Sequence, residues 1–338
     1  MARPSVAFVA WSPISGRSAE IAAALGGDAF CVYDLRIAHR PLIPIRYAVS
    51  LVRTIMYLSR RRPRAVIVTN PPVFPALVVA AYAALARVPF VLDSHPSGFG
   101  IDDRIWARFE PLHRLLVRRA SATIVTGPAL AEVIASWGGR PEVVHEAPPT
   151  SSVDPPAANG SRRRVLFVCT FAPDEPVREL VAAAALAPDI EFAVTGDRRL
   201  CPADVRASAP GNVTFTGFLR GDDYVRAIAA SHVVLALTKR PEAVNRAAYE
   251  AVYAGRPTVI SDFPAQRELF RFAIAATNDP EGIASAIREA LERHAELIEA
   301  AQSAREVQTA RWEAQLARLK AALRNGVTAA DPVGESAR

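Results

Sequence analysis

Short apolar runs alternate with helix-length segments along most of the 338-residue chain, and this alternation occurs in two series. The first series is SVAFVAW, AFCVYDL, RAVIVTN, PFVLDSH and ATIVTG. Several of these runs are apolar without a polar residue at every second position, so they predict strands covered on both faces. The segments between them, among them AEIAAALG, IRYAVSLVRTIMYLSRRR, PALVVAAYAALARV, IWARFEPLHRLLVRRA and PALAEVIASWGG, predict helices that supply the cover. Strand–helix–strand alternation of this kind builds a parallel sheet with helices on both sides.

The stretch EAPPTSSVDPPAANGSRRR, Glu146 to Arg164, interrupts the pattern with Pro, Ser and Gly and predicts a linker. The alternation then restarts in RVLFVCTF, IEFAVTGD, VTFTGFL, HVVLALT and PTVISD. The expected fold class is α/β, two doubly wound Rossmann-like domains facing a cleft, with a C-terminal helical tract. Domain one is expected over 1–148, a linker over 149–164, domain two with its terminal helices over 165–325, and a polar, disordered tail over 326–338. That length suits two cores of about 150 residues each.

Charge narrows the partners. Residues 1–160 carry 17 arginines against 11 acids, so the whole net charge of +6 resides in that half. A basic half-protein predicts an acidic partner, such as an anionic membrane or a phosphorylated acceptor. Arg60–Arg64 is a short basic run at a helix end with no interleaved aromatics, which argues against nucleic acid. The three cysteines, Cys31, Cys169 and Cys201, are far apart and fit neither a zinc site nor a disulfide framework, which predicts a reducing, cytoplasmic setting. TNPPVFPALVVAAYAALA falls short of a spanning helix and contains prolines.

Ligands of doubly wound sheets gather at the carboxyl ends of the strands. In domain one that singles out Gly16 and Arg17 after the first strand, Asn70 after the third, and His95 after the fourth. Gly16, Arg17 and Asn70 are candidates for binding an acceptor. His95 is the candidate for orienting a sugar or moving a proton. In domain two, Thr170 and Phe171 follow the first strand, Gly196 the second, and Lys239 and Arg240 precede the helix RAAYEAVYA. Asn245 is expected to cap that helix, which Gly255 ends and Pro257 keeps from resuming. Its amino end suits a diphosphate. Glu242 and Glu250, on either side of that end, suit hydroxyl groups of a ligand, while Lys239 and Arg240 bring positive charge. The alternative for the two glutamates is a cap and a solvated surface. The sequence has no Gly-rich dinucleotide fingerprint, P-loop lysine, Gly-x-Ser-x-Gly elbow or Asp-x-Asp pair. No cofactor and no metal are expected.

Glu242-x7-Glu250 followed by AVYAGRPTVISD resembles the signature of the large retaining family of GT-B nucleotide-sugar transferases. The resemblance implies that Glu242 binds the donor sugar and Glu250 its ribose. TNPPVFPALVVA, VLDSHPSGFG, CTFAPDEPVRELVAAAAL and GDDYVRAIAASHVVLAL resemble, more finely, the β-mannosyltransferase family that acts on chitobiosyl-diphospho-dolichol. That likeness implies a GDP-mannose-like donor, a lipid-linked or amphipathic acceptor, and peripheral contact with the inner face of an anionic membrane. The retaining family's Arg and Lys after the first strand of domain two are absent from CTFAPDEP, so Lys239, Arg240 or Arg178 would have to supply that charge. Two rivals stay open: a non-catalytic subunit of the same fold, and a nucleotide-sugar epimerase or hydrolase.

Overall fold

The described strands form two six-stranded sheets. In the first, β1 (Val6–Ala10), β2 (Asp28–Cys31), β3 (Ala65–Asn70), β4 (Phe90–Ser94), β5 (Ala122–Val125) and β6 (Pro141–Val143) lie in the order β2-β1-β3-β4-β5-β6. The second holds β7 (Arg163–Phe167), β8 (Ile190–Thr195), β9 (Val213–Gly217), β10 (Val233–Ala236), β11 (Thr258–Ser261) and β12 (Ile274–Ala276), in the order β12-β11-β10-β7-β8-β9. Neighbouring strands are parallel, with registers such as Ala7↔Val66 and Val234↔Thr258. The structure is a computed structural model that describes residues 5–12, 16–33, 42–100, 104–149 and 163–329.

The chain divides into two compact units, Met1–Ala147 with Arg311–Arg338, and Pro148–Ala310. Both sheets are covered on both faces, as the apolar runs required: β1, β4, β5, β10 and β11 are buried at every residue. In each sheet the order reverses once, between β1 and β3 and between β7 and β10. At such a switch point the loops leave in opposite directions and open a crevice at the carboxyl edge.

Two expectations need correction. IWARFEPLHRLLVRRA is two helices, Arg104–Ala107 and Glu110–Arg119, because Pro111 is accommodated in a first helical turn and not in a helix interior. The terminal tract does not belong wholly to domain two. The helix His294–Ala329 leaves the second unit at Ala310, and its Trp312, Leu316, Leu319 and Leu323 pack with Phe8, Ile67 and Ile124 of the first. Spacings of three and four residues bring these side chains onto one helical stripe, and burying each contributes about 1.5–3 kcal/mol. Residues 326–329 continue this helix; 330–338, the rest of the expected tail, and 150–162 of the expected linker lie outside the described residues.

The helix Ile43–Arg61 is apolar on the side away from its core. Ser50, Thr54 and Leu58 form its buried stripe, and Trp11 Nε1 donates to Thr54 Oγ1 at 2.9 Å. Ile45, Val49, Val52 and Met56 lie on the opposite face and are exposed, Ile45 by 53% and Val52 by 54%.

Candidate functional site

In the second unit the switch point joins the loop after β7 to the loop after β10. Lys239 N–H donates to Asp174 O at 2.6 Å, and Thr238 Oγ1 to Asp174 Oδ2 at 2.9 Å, so the two loops are tied. Asn278 and Ser261 brace the second loop from behind: Asn278 Nδ2 donates to Thr238 O at 2.8 Å and Thr238 N–H to Ser261 Oγ at 2.9 Å. The helix expected over RAAYEAVYA is Arg246–Tyr253. Asn245 stands at its N-cap but makes no side-chain cap bond; its Nδ2 instead donates to Leu237 O at 2.9 Å, fastening the loop to β10. The helix start therefore lacks the side-chain acceptor that Asn245 was expected to supply, and Ala248 N–H bonds to Asn245 O at 3.1 Å instead.

Glu242 is exposed in this loop, and its carboxylate has no partner among the described residues. Glu250 is mostly buried and engaged: Tyr224 OH donates to Oε2 at 2.5 Å, and Arg246 Nε to Oε1 at 2.7 Å. Burial first, and then the Glu250 charge, push the Tyr224 hydroxyl well above its ordinary range, so it remains a donor. A carboxylate oxygen accepts more than one hydrogen bond, so this clamp orients Glu250 without exhausting it.

The loop after β7 is organised by an acid that sequence reasoning overlooked. Glu175 accepts from Thr170 N–H at 2.9 Å, from Ala172 N–H at 2.8 Å and from the Cys169 thiol at 3.2 Å. Burial and the Glu175 charge raise the thiol's pKa, keeping Cys169 protonated. Phe171 adopts a left-handed φ of 63°, and a Cβ on Gly196, at φ 112°, would meet its ring at 2.7 Å and Cys169 O at 2.8 Å. Gly196 is thus demanded by close packing between the loops. Positive charge here is partly countered: Lys239 Nζ lies 2.7 Å from Glu179 Oε1, Arg240 Nε lies 3.7 Å from Asp174 Oδ2, and Arg178 pairs with Asp204. Beside Thr170, at the ends of β7, β8 and β9, a hollow of about 670 Å³ is lined by Arg198, Arg199, Arg220 and Phe218. No run of sequence announced it, because its arginines come from two separate loops.

In the first unit the carboxyl ends of β3 and β4 carry the candidates. Asp93, 2% exposed, lies beneath His95: Asp93 Oδ2 stands 3.3 Å from His95 Nε2, and its Oδ1 is 3.4 Å from Arg17 Nε. Residues two apart along a strand face the same side, which is how Asp93 reaches His95. Arg17 also donates to Val144 O at 2.7 Å, His145 O at 3.2 Å and Glu146 Oε1 at 2.8 Å. It is buried and engaged by the protein itself, unlike the ligand-facing cation expected after β1. Burial disfavours the Asp93 carboxylate, but Arg17 and then His95 outweigh it and hold its pKa at about 2. For His95, burial acts downward and Asp93 acts upward more strongly, so its pKa is raised. Its side chain remains 35% exposed. Asn70 is buried next to it: Asn70 O accepts from His95 N–H at 2.8 Å, while Asn70 Nδ2 has no partner among the described residues. Gly16 opens the helix Gly16–Ala24 and is exposed.

His113 sits under this loop, with Nδ1 3.1 Å from Gly98 O and Nε2 3.0 Å from Ser94 Oγ. The neutral ring satisfies both contacts by donating from Nδ1 and accepting at Nε2. Burial lowers His113 to about 4; burial, then Arg311 and Arg17, lower His145 to about 4. Both folded-state values lie below the unfolded value of about 6.5, so the unfolded chain binds more protons between these limits. Stability is therefore expected to fall as pH drops from 6.5 towards 4, by about 3 kcal/mol per histidine at full extent. Thermal melts across this window measure the loss, and an imidazole of His113 titrating near 6.5 by NMR would contradict it.

Two family models match. Residues 3–150 fit a glycosyl transferase 4-like domain, and residues 162–293 fit glycosyl transferases group 1. The chain belongs to the group 1 glycosyltransferases of GT-B fold. Solved structures agree on the fold. Sucrose-phosphate synthase of Thermosynechococcus elongatus superposes with a TM-score of 0.75 at 16% identity, covering 96% of this chain and 99% of that one. Anabaena HepE, solved with UDP-glucose, gives 0.68 at 18% identity with the same coverage. An α,α-trehalose-phosphate synthase (UDP-forming) from Burkholderia vietnamiensis gives 0.67 at 13% identity, covering 95% and 99%. No curated protein matches by sequence. Within this family setting, the second unit of the glycosyltransferase brings Glu242, Glu250, Lys239, Arg240, Asn245, Thr170, Phe171 and Gly196 to one sheet edge. The first unit brings together Arg17, Asn70 and His95.

Proposed function

We propose that this glycosyltransferase moves a hexose from a nucleotide diphosphate sugar to a lipid-linked or amphipathic acceptor at an anionic membrane. The observation that carries the donor assignment is the switch-point loop. It presents an exposed Glu242, a clamped Glu250 and a helix amino end with no side-chain cap within one short segment. Glu242 would take sugar hydroxyls, Glu250 the ribose, and the helix end with Lys239 and Arg240 the diphosphate, so the leaving charge is met by fixed dipoles and cations. Structural neighbours that form UDP or bind UDP-glucose favour a uridine donor; the finer sequence likeness favours GDP-mannose. The exposed apolar face of the helix Ile43–Arg61, flanked by arginines, supports membrane contact and an amphipathic acceptor.

A thermal-shift panel of UDP- and GDP-hexoses tests the donor, since a ligand at a hundredfold its dissociation constant adds about 2.7 kcal/mol. Glu250→Ala is expected to weaken donor binding roughly ten- to hundredfold, the loss of a charge-assisted bond worth ~1.5–3 kcal/mol. Unchanged affinity in that variant would remove Glu250 from the ribose. Turnover is expected to persist in EDTA and to favour a polyprenyl-diphosphate sugar in vesicles. Transfer confined to a soluble sugar would overturn the lipid reading.

A second reading, a non-catalytic subunit, draws on the countered charges at Lys239 and Arg240 and on Glu175 occupying the N–H groups after β7. Binding without turnover on any acceptor would favour it.

A further inference from the structure

The amino edge of the first sheet, opposite the edge that carries Asn70 and His95, is a row of arginines. Four adjacent parallel strands, β3 to β6, are each entered through them: Arg60, Arg61, Arg62 and Arg64 precede Ala65, Arg87 precedes Phe90, Arg118 and Arg119 precede Ala122, and Arg140 precedes Pro141. Between the last three entries lies a hollow of about 700 Å³. Arg87, Arg118, Arg119 and Arg140 line it, together with an apolar floor that includes Leu77, Ala80 and Leu116, and among the described residues no acid lines it.

Elsewhere in the molecule exposed arginines commonly have a carboxylate partner, as in Arg164–Glu191, Arg178–Asp204 and Arg226–Asp223. In the hollow, Arg118 Nε donates to Trp137 O at 2.8 Å, whereas the side chains of Arg87, Arg119 and Arg140 have no partner among the described residues. Helix dipoles favour cations in a last turn and account for part of this, at Arg118 and Arg119. They do not account for Arg140, which opens a strand. Arg87 caps the helix Val73–Ala86 and shares that dipole, yet it takes a left-handed φ of 53° where glycine is the unstrained choice. Several like charges around an apolar floor repel one another until an anion joins them.

We propose that this hollow binds a phosphate group carried on an apolar body, at a site separate from the switch-point loops. The guanidinium groups meet the phosphate oxygens with paired N–H bonds, and the floor takes the apolar part. Such chemistry is found in an anionic lipid headgroup or in a single soluble phosphorylated amphiphile. The inference does not rest on the donor or acceptor assignments above, because the test reads binding alone.

The experiment compares the wild-type chain with Arg87→Gln/Arg119→Gln/Arg140→Gln, whose replaced side chains are exposed and hold nothing else in place. Arg164→Gln/Arg226→Gln/Arg293→Gln, in the second unit, loses the same charge and serves as control. The probes are octyl phosphate below its micelle concentration, read by calorimetry, and vesicles of phosphatidylglycerol in phosphatidylcholine, read by co-sedimentation. At least one probe is expected to bind, and the first variant to lose about a hundredfold in affinity, with the control close to wild type. Binding of octyl phosphate identifies a soluble ligand as sufficient; binding of vesicles alone identifies the headgroup in its bilayer. Failure of both probes, or equal loss in the two variants, would overturn the site.

Discussion

Replacing His95 with alanine is expected to lower kcat/KM by about 10²–10⁴-fold, the usual worth of a positioned proton donor or acceptor. The geometry makes the donor form the active one. His95 Nε2 faces the Asp93 carboxylate at 3.3 Å, and Asp93 raises the imidazole's pKa above its ordinary value. With a proton on Nε2 facing the Asp93 carboxylate, Nδ1 carries one only in the imidazolium. The ring therefore offers a hydrogen bond to sugar or phosphate oxygen below its raised pKa and withdraws it as pH rises through that value. Activity controlled by His95 should fall as pH rises through this raised pKa, and Asp93→Asn should move that limb to lower pH. A limb that rises with pH instead would make His95 a general base, and full activity in His95→Ala would remove it from the chemistry.

The second large effect falls on stability. Arg17→Met is expected to destabilise the protein by about 3–5 kcal/mol, because it strips the buried Asp93 carboxylate of its principal counter-charge. For a unit of this size that lowers the melting temperature by roughly 10 °C. Asp93, buried and held at about 2 largely by Arg17, and Glu146, 2.8 Å away, both lose this ion pair. The double variant Arg17→Met/Asp93→Asn should recover much of the loss. A single variant that melts with the wild type would show that the buried pair contributes little.

Much of the architecture was legible in the sequence because a strand buried on both faces must be apolar throughout. VAFVA and VVLA admit no other cover than helices. The Glu242 and Glu250 loop was legible through its spacing and through the helix that Gly255 ends. What sequence could not show were partnerships formed across distant segments. Arg17 reaches Asp93, 76 residues away, and the carbonyl of Val144, 127 residues away. A reader of the chain sees an arginine after a strand and expects a ligand, although three-dimensional neighbours have already claimed it. Tyr224 on Glu250 and Glu175 inside its own loop were missed for a related reason: both look like ordinary residues of an amphipathic helix or a turn. The return of Trp312 to the first core was hidden too, since an apolar stripe on a helix does not state which core it covers.

That return changes what counts as a module in this protein. The first unit is a host interrupted after Ala147 and completed only from Arg311, and the second unit is inserted in it. Cutting the chain at the linker would therefore yield one half with a bare apolar face over Phe8, Ile67 and Ile124, and another trailing an unsheathed stripe from Trp312 to Leu323. Exchange of the second unit between such transferases has to respect two junctions, one before Pro148 and one after Ala310, with the terminal helix left to its host.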